Sequence, residues 1–444
     1  MNDNDGTRTG SSLRGTPKVM LIQFSVSNFR SFREEQTLSM VAAPRIKKRD
    51  NTFKPPLDEK FADLLKVAVI YGPNASGKSN LLKAMHALIG IATREPRNSN
   101  KKIPVQRFAF DPSFENEPSK FEVHFIANKL RYEFILHTNE DRIIKEQLTS
   151  FPKGKEEILY IRDYSEEESS YLYKYPSLLD DELTLKTWER ITPKDVLFLS
   201  QMVSNNEKPR QDILAAYTWL SVGWMCHLDG AKQYFEATKK MLTSDYDISE
   251  KARDFYAKNL TKFLRDFDVP ISSIEYVEKD RTEINKNNTI ASSNETPAKR
   301  EILFTHDTNL GKYRINFEDQ SDGTQSLVSF WIPWMHTQTR EEGIRSSTLI
   351  VDELDSSLHP LIVESLVKKH ISKDNSTSQL IFTTHDTHLM NSKILRRDQI
   401  WITDRDSNGA TNLSSVHDYE GREGEDIEKR YYEGRYKGLP HRRS

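Results

Sequence analysis

Apolar and polar positions change period several times along the chain, and each change marks an element. Met20 to Val26 alternates as an opening strand, Asn28-Phe29-Arg30-Ser31-Phe32 follows, and Gln36 to Val41 reads as a second strand. Lys66 to Ile70 is a short apolar run that stops at Tyr71-Gly72-Pro73, the pattern of a buried strand entering a glycine turn. Ser79 to Ile91 then carries Leu81, Leu82, Met85, Leu88 and Ile89 at helical spacing. From Phe121 to Ile161, alternating runs separated by charged and turn residues predict an antiparallel meander. Thr192 to Phe267 reads as helical, with apolar positions such as Ile213, Tyr217, Leu220 and Val222, and Pro270 closes it.

Ile271 to Val277 and Lys312 to Phe317 read as strands on either side of a polar loop, Arg281 to Lys299. Gly323 to Trp334 reads as a helix opening after a glycine turn. Thr348 to Val351 and Gln379 to Thr383 are buried strands with a helix, Pro360 to His370, between them. Ile400 to Thr403 and Thr411 to Val416 flank Ser407-Asn408-Gly409, a hairpin turn signal. No internal repeat of 20–50 residues is visible.

Composition narrows the class. With 444 residues, 36% apolar and 29% charged, the chain is read as a soluble globular protein able to bury a real core. Lys plus Arg (64) nearly balances Asp plus Glu (66), so contact with nucleic acid would need a local patch. One cysteine, Cys226, makes no intrachain disulfide, which fits a reducing, cytoplasmic setting. No apolar run approaches the roughly 18 residues of a membrane helix. The polar, Gly/Ser/Thr-rich Met1 to Lys18 reads as a flexible leader.

Four motifs carry chemistry. Gly72-Pro73-Asn74-Ala75-Ser76-Gly77-Lys78-Ser79, between an apolar strand and a helix that continues with Asn80, meets the full phosphate-loop pattern. Its glycines let backbone N–H groups curl round phosphate oxygens at a helix N-terminus. Lys78 is expected to reach the β- and γ-phosphates of ATP, and Ser79 to ligate Mg²⁺. Leu349 to Val351 closes on Asp352-Glu353 at a strand's C-terminal end. There Asp352 can hold Mg²⁺ and Glu353 can orient or deprotonate the attacking water. His385, in Thr383-Thr384-His385-Asp386, follows the next buried strand and can reach the γ-phosphate. Gln320-Ser321-Asp322-Gly323-Thr324 is a second anion-binding turn, through Ser321 and the Gly323 backbone. One nucleotide does not need two such turns in one subunit, so this one is read as completing the site of a second subunit.

In this order, with Leu354-Asp355-Ser356-Ser357-Leu358-His359-Pro360 after the acidic pair, the motifs resemble those of ABC-class ATPases. The likeness is closest to the soluble SMC, RecF and overcoming-lysogenization branch. Within that branch the chain is similar to the AAA-type ATPases of abortive-infection and anti-phage systems, the RloA-like proteins, on its tail Tyr431 to Pro440 and its compact middle. The resemblance implies that the Ser321 turn is a signature motif acting across a dimer, that Leu354 to Pro360 is a D-loop, and that Arg30 and Ser31 lie near the nucleotide. Two departures stand out: Gln320 replaces the usual leucine of the signature, and Asp322 replaces its first glycine. Gln106 is the best candidate for a Q-loop glutamine.

The fold expected is an α/β ABC-type ATPase head: a flexible leader over 1–18, a P-loop lobe with antiparallel strands over 19–190, a helical insertion over 191–270, a C-terminal ATPase lobe over 271–427 and a basic tail over 428–444. Trp224, Cys226 and His227 are read as packing in a helix core, being too few for a zinc site. Asp404 and Asp406 are read as hairpin charges, because only 38 residues follow them. The tail, with Lys429, Arg430, Arg435, Lys437, Arg442 and Arg443, reads equally as a phosphate or acidic-partner binder and as a solubilising end. The output expected is a conformational switch in a head-to-tail homodimer or higher oligomer. It would serve an anti-phage system that senses a phage trigger and controls a separate effector such as a nuclease. The alternative is a DNA-repair ATPase acting directly on DNA. The middle lacks sustained heptads, against a coiled-coil arm. About 240 residues separate Ser79 from Gln320, more than a transporter subunit needs.

Overall fold

The computed structural model describes residues 19–95, 102–178, 181–204, 206–228, 234–243, 249–278, 300–338, 348–372, 377–422 and 424–439. The leader, the polar loop Arg281 to Lys299 and the basic residues Arg442 and Arg443 lie outside them.

The chain opens with β1 (Val19–Ser27) and β2 (Gln36–Ser39), then a short ribbon of β3 (Thr52–Phe53) and β4 (Leu64–Leu65). Next, β5 (Val67–Tyr71) leads into α1 (Lys78–Ala92). The meander is β6 (Ser119–Ala127), β7 (Leu130–Thr138), β8 (Ile143–Ser150), β9 (Glu157–Ser165) and β10 (Ser170–Lys174). Helices α2 (Glu182–Ile191), α3 (Phe198–Ser204) and α4 (Gln211–Val222) precede β11 (Trp224–His227), with α5 (Phe235–Thr243) and α6 (Glu250–Asp266) beyond it. Then come β12 (Ile271–Glu278), β13 (Arg300–Thr308), β14 (Gly311–Asn316) and α7 (Asp322–Gln338). The chain closes with β15 (Thr348–Val351), α8 (Pro360–Ile371), β16 (Gln379–Thr383), β17 (Ile400–Arg405), β18 (Thr411–Ser415) and α9 (Ile427–Tyr432).

Two large sheets result, ordered β10-β9-β8-β7-β6-β1-β2 and β11-β15-β16-β5-β17-β18. The second is parallel except for its last hairpin. Its central strands β15, β16 and β5 are buried at every position because both faces are covered. Ala68, Ile70, Ile350, Ile381 and Trp401 pack into one core with α1 and the meander. Val67, Val69, Leu349, Val351, Leu380, Phe382, Ile400 and Ile402 pack into another with α6, α7 and α8. This is an α/β architecture, a mostly parallel core sheet joined to an antiparallel lobe.

Three readings are corrected. Trp224 to His227 is a strand, not part of a helix: it pairs in parallel with β15, and Trp224, Cys226 and His227 are buried. Gly223 makes the exit from α4 possible, since a Cβ there would lie 2.5 Å from the Trp219 carbonyl oxygen. Burial pushes the Cys226 thiol up to about 12, leaving it without thiolate character. The helix expected from Gly323 begins at Asp322, and Gly323 lies within its first turn instead of forming a turn before it. The tail is no loose end as far as Leu439: Tyr431 and Tyr436 are buried in the second core, and the Tyr431 hydroxyl donates to the Gly438 carbonyl at 2.7 Å. The DxD residues do lie on the hairpin, where the Asp406 Oδ1 accepts from the Asn408 and Ala410 amides.

The meander is fastened to α3 by a wholly buried ion pair. Glu146 accepts from the Tyr160 hydroxyl at 2.7 Å and from the Phe198 and Leu199 amides at 2.7 and 2.9 Å. Arg162, 3.6 Å from Glu146, donates to the Val196 and Pro193 carbonyls. Removing one partner leaves the other charge buried without its mate. Glu146→Ala should therefore cost about 3–5 kcal/mol in urea unfolding; a change below about 1 kcal/mol would show that this pair does not hold the lobe together.

Candidate nucleotide site

The register of the parallel sheet brings the motif residues to one edge. Ile70 pairs with Thr383, Tyr71 with Ile402, and Val351 with Phe382, so the P-loop, Asp352-Glu353 and the His385 loop all leave the sheet at the same end. In an open parallel sheet this is where ligands bind.

The P-loop is held in a strained, phosphate-cradling shape. Gly72 has φ +151° and Gly77 φ +106°, and Ala75 is left-handed at +62°. A Cβ on Gly72 would lie 2.3 Å from the Thr403 Oγ1, and one on Gly77 would lie 2.1 Å from the Thr411 Oγ1. The Thr403 hydroxyl donates to the Tyr71 carbonyl at 3.0 Å and sits 2.6 Å from the Ser76 hydroxyl. The Thr411 hydroxyl donates to the Ser76 carbonyl at 2.8 Å. Lys78 Nζ donates to the Gly72 and Pro73 carbonyls at 2.9 and 3.1 Å. Burial pulls its ammonium below the ordinary value, against the opposing effect of Asp352, Glu353 and Asp355.

Hydroxyls and carboxylates form a chain across the strand ends. The Ser79 hydroxyl donates to Asp352 Oδ1 at 3.1 Å, and the buried Thr383 hydroxyl donates to the same oxygen at 2.6 Å. Thr383 Oγ1 in turn accepts from the Glu353 amide at 2.7 Å, holding Glu353 at φ +50°. The Asp352 amide donates to the His227 carbonyl of β11 at 2.9 Å, so the strand missed in the sequence helps aim this carboxylate. The His385 amide donates to Asp355 Oδ2 at 3.1 Å, joining its loop to the segment after the acidic pair.

A cavity of about 770 Å³ opens over these groups. Asn74 to Asn80, Arg30, Ser31, Gln106, Glu353 and His385 line it, together with Phe110 and Arg405. Arg30 is left-handed at φ +52°, its amide donates to the Gln106 carbonyl at 2.6 Å, and its Nε is buried without a partner among the described residues. Ser31 Oγ accepts from Asn80 Nδ2 and lies 2.8 Å from the Thr411 Oγ1. Arg405 stacks over Phe110, 5.4 Å from the ring centre. A basic, hydroxyl-rich cradle with an orphaned guanidinium nitrogen and a carboxylate beside Ser79 fits a polyphosphate carrying a divalent cation.

Ser321 and Gly323 do not line this cavity. Ser321 caps α7, accepting from the Thr324 amide at 3.3 Å, and a Cβ on Gly323 would lie 3.0 Å from the Ser357 carbonyl. The Ser321 turn thus packs on the segment that follows Asp352-Glu353. Sequence reasoning missed the hydroxyls of Thr383, Thr403 and Thr411; Thr383, beside Thr384-His385, is the one a motif could have flagged.

Fold and site together define a P-loop nucleotide-binding domain. The family model described as "AAA domain, putative AbiEii toxin, Type IV TA system" matches residues 67–179 and 220–391, and the chain belongs to that family. No curated protein matches the chain. Among solved structures it is similar to an SMC head bound to the C-terminal winged-helix domain of ScpA, at 13% identity and a TM-score of 0.41, covering 89% of this chain and 97% of that one. It is also similar to the SMC head domain from Thermotoga maritima, at 13% identity and a TM-score of 0.37, covering 89% and 98%. No helix among the described residues is long and apolar enough to cross a membrane.

The close quarters at Gly72 give a direct test of the cradle. Gly72→Ala should lower unfolding stability by about 2 kcal/mol or more, because neither its φ nor Thr403 leaves room. In Gly90, inside α1, the nearest atom to an added Cβ is 3.8 Å away, so Gly90→Ala should be neutral or stabilising by up to about 1 kcal/mol. Equal costs in denaturant melts would contradict this packing.

Proposed function

We propose that the chain binds ATP with Mg²⁺ at the P-loop, hydrolyses it, and uses the cycle to close and release two copies of itself head to tail. The observation that carries this reading is the unbroken line Ser79–Asp352–Thr383–Glu353 beneath the P-loop cavity. Backbone N–H groups from Asn74 to Gly77 and the ammonium of Lys78 would take the phosphates. Ser79 and Asp352 would hold Mg²⁺, which when bound neutralises phosphate charge. Glu353, its amide tied to Thr383, would present its carboxylate to the attacking water. His385 would hydrogen-bond the terminal phosphate, and Arg30 would contact the nucleotide. Ser321 and Gly323, outside their own subunit's cavity, would dock on the nucleotide of a second copy.

The family's description, "putative AbiEii toxin, Type IV TA system", supports a place in anti-phage defence. In that role the ATPase would sense a phage component and govern a separate effector, in the manner of the RloA-like proteins. A small nuclease-like protein encoded by the neighbouring gene, and phage protection lost in Glu353→Gln, are the expected findings. A neighbouring repair operon, with protection absent, would favour action on DNA instead.

Lys78→Ala should abolish ATP binding measured by fluorescent-nucleotide titration; unchanged affinity would remove the P-loop from the reading. Glu353→Gln should bind ATP normally yet hydrolyse it about 10²–10⁴-fold more slowly. Thr383→Val should lower kcat with little change in KM while Thr383→Ser stays near wild type, and equal loss in both would deny the hydroxyl its role.

The dimer has its own test. Ser321→Arg should leave ATP binding by the single chain intact and block ATP-dependent association followed by light scattering. Normal association and turnover in that variant would reduce the Ser321 turn to a helix cap.

A further inference from the structure

A second cavity, of about 300 Å³, lies at the other end of the parallel sheet. Arg45, Lys48, Arg396, Arg397 and His417 line it, and none of its lining residues is acidic. Arg396 is spent on building the wall. Its guanidinium pairs with Asp398 at 2.6 Å and donates to the Ala43, Ile46 and Lys48 carbonyls, pinning the 43–48 loop. Arg397 is held differently: Nη2 donates to the Val416 and Tyr419 carbonyls at 3.0 and 2.8 Å, while Nε is buried with no partner among the described residues. Gly421 makes room for it, since a Cβ there would lie 2.3 Å from Arg397 Nη1.

Nearby carboxylates do not neutralise this group. Asp398 belongs to Arg396, and Asp418 Oδ2 accepts from the Ser415 amide. Asp50 acts on Lys48, yet burial still draws that ammonium below its ordinary value. Arg45, at the rim, holds a left-handed φ of +74°, a conformation that costs energy and concentrates at ligand clamps. The rest of the wall is made by the apolar Pro44, Ile46 and Leu395 with Ser392, Gly421 and Gly424. A concave site with one cationic side and one apolar side suits a ligand that is anionic at one end and flat and apolar at the other.

We propose that this cavity binds a nucleoside monophosphate, its phosphate on Lys48, Arg397, Arg45 and His417 and its base against Pro44, Ile46 and Leu395. The site is separate from the P-loop but connected to it. Arg397 lies three residues before β17, whose other end carries Thr403 beneath Gly72 and Arg405 in the nucleotide cavity.

The test is calorimetric titration of AMP and of GMP into the full chain carrying Lys78→Ala, which removes the P-loop's main phosphate contact. One nucleotide per chain should bind, more weakly as salt is raised. Arg45→Glu with Lys48→Glu, both outside the P-loop cavity, should weaken binding about tenfold or more without changing the melting temperature of the free protein. Gly421→Ala should weaken it as well by displacing the Arg397 guanidinium. Residual P-loop binding would be recognised because the Arg45/Lys48 reversal leaves it untouched. The proposal fails if neither nucleotide saturates the chain at millimolar concentration or if the reversal has no effect. It fails equally if inorganic phosphate binds as tightly as AMP and GMP, or if only an oligonucleotide binds.

Discussion

Everything at the nucleotide edge depends on the register of four parallel strands. With Thr383 level with Ile70 and Ile402 level with Tyr71, three loops leave the sheet side by side and a single hydroxyl can touch both members of an acidic pair. A slip of one residue would turn every side chain to the opposite face, exchanging the two cores and carrying Thr383 away from Asp352. The continuous apolar runs of these strands do not forbid such a slip by themselves, because both faces are buried. Register is fixed by polar groups at the strand starts. Gln379 accepts from the Leu21 amide and donates to the Leu21 carbonyl, and Gln399 donates to the Val67 carbonyl. These buried amides lock β1, β16, β5 and β17 into one alignment.

The same sheet distributes work between its two layers. On one side α1 and the antiparallel lobe form a rigid block around the P-loop, fastened by Glu146 and Arg162. On the other, α7 starts at the Ser321 cap and rests on the Ser357 carbonyl, immediately downstream of Glu353. A shift of the acidic pair would therefore be felt at the Ser321 turn through backbone contact.

What the amino-acid sequence disclosed was local. The P-loop, the strand ending in Asp352-Glu353, the strand before His385 and the hairpin at Gly409 each carry their signal within a dozen residues. β11 was hidden because its four residues sit between helices and share their apolar character; only pairing with β15 makes them a strand. β13 was lost beside the polar stretch that precedes it. The hydroxyls of Thr403 and Thr411 lie more than 300 residues from the loop they support, and no periodicity reports a contact of that kind. Threonines at strand ends are ordinary, so their identity carried no mark of their task.

That separation has a consequence for how the protein comes into being. Strand β1 is tied to Gln379, and the P-loop is propped by residues beyond position 400, so the first part of the chain to be synthesised waits for the last. A nascent chain that has already produced Lys78 lacks the hydroxyls that hold Gly72 and Gly77 in place. Such distant pairings make folding slow and leave partly built sheets exposed. The phosphate cradle is therefore complete only once the hairpin that carries Thr403 and Thr411 has docked on it.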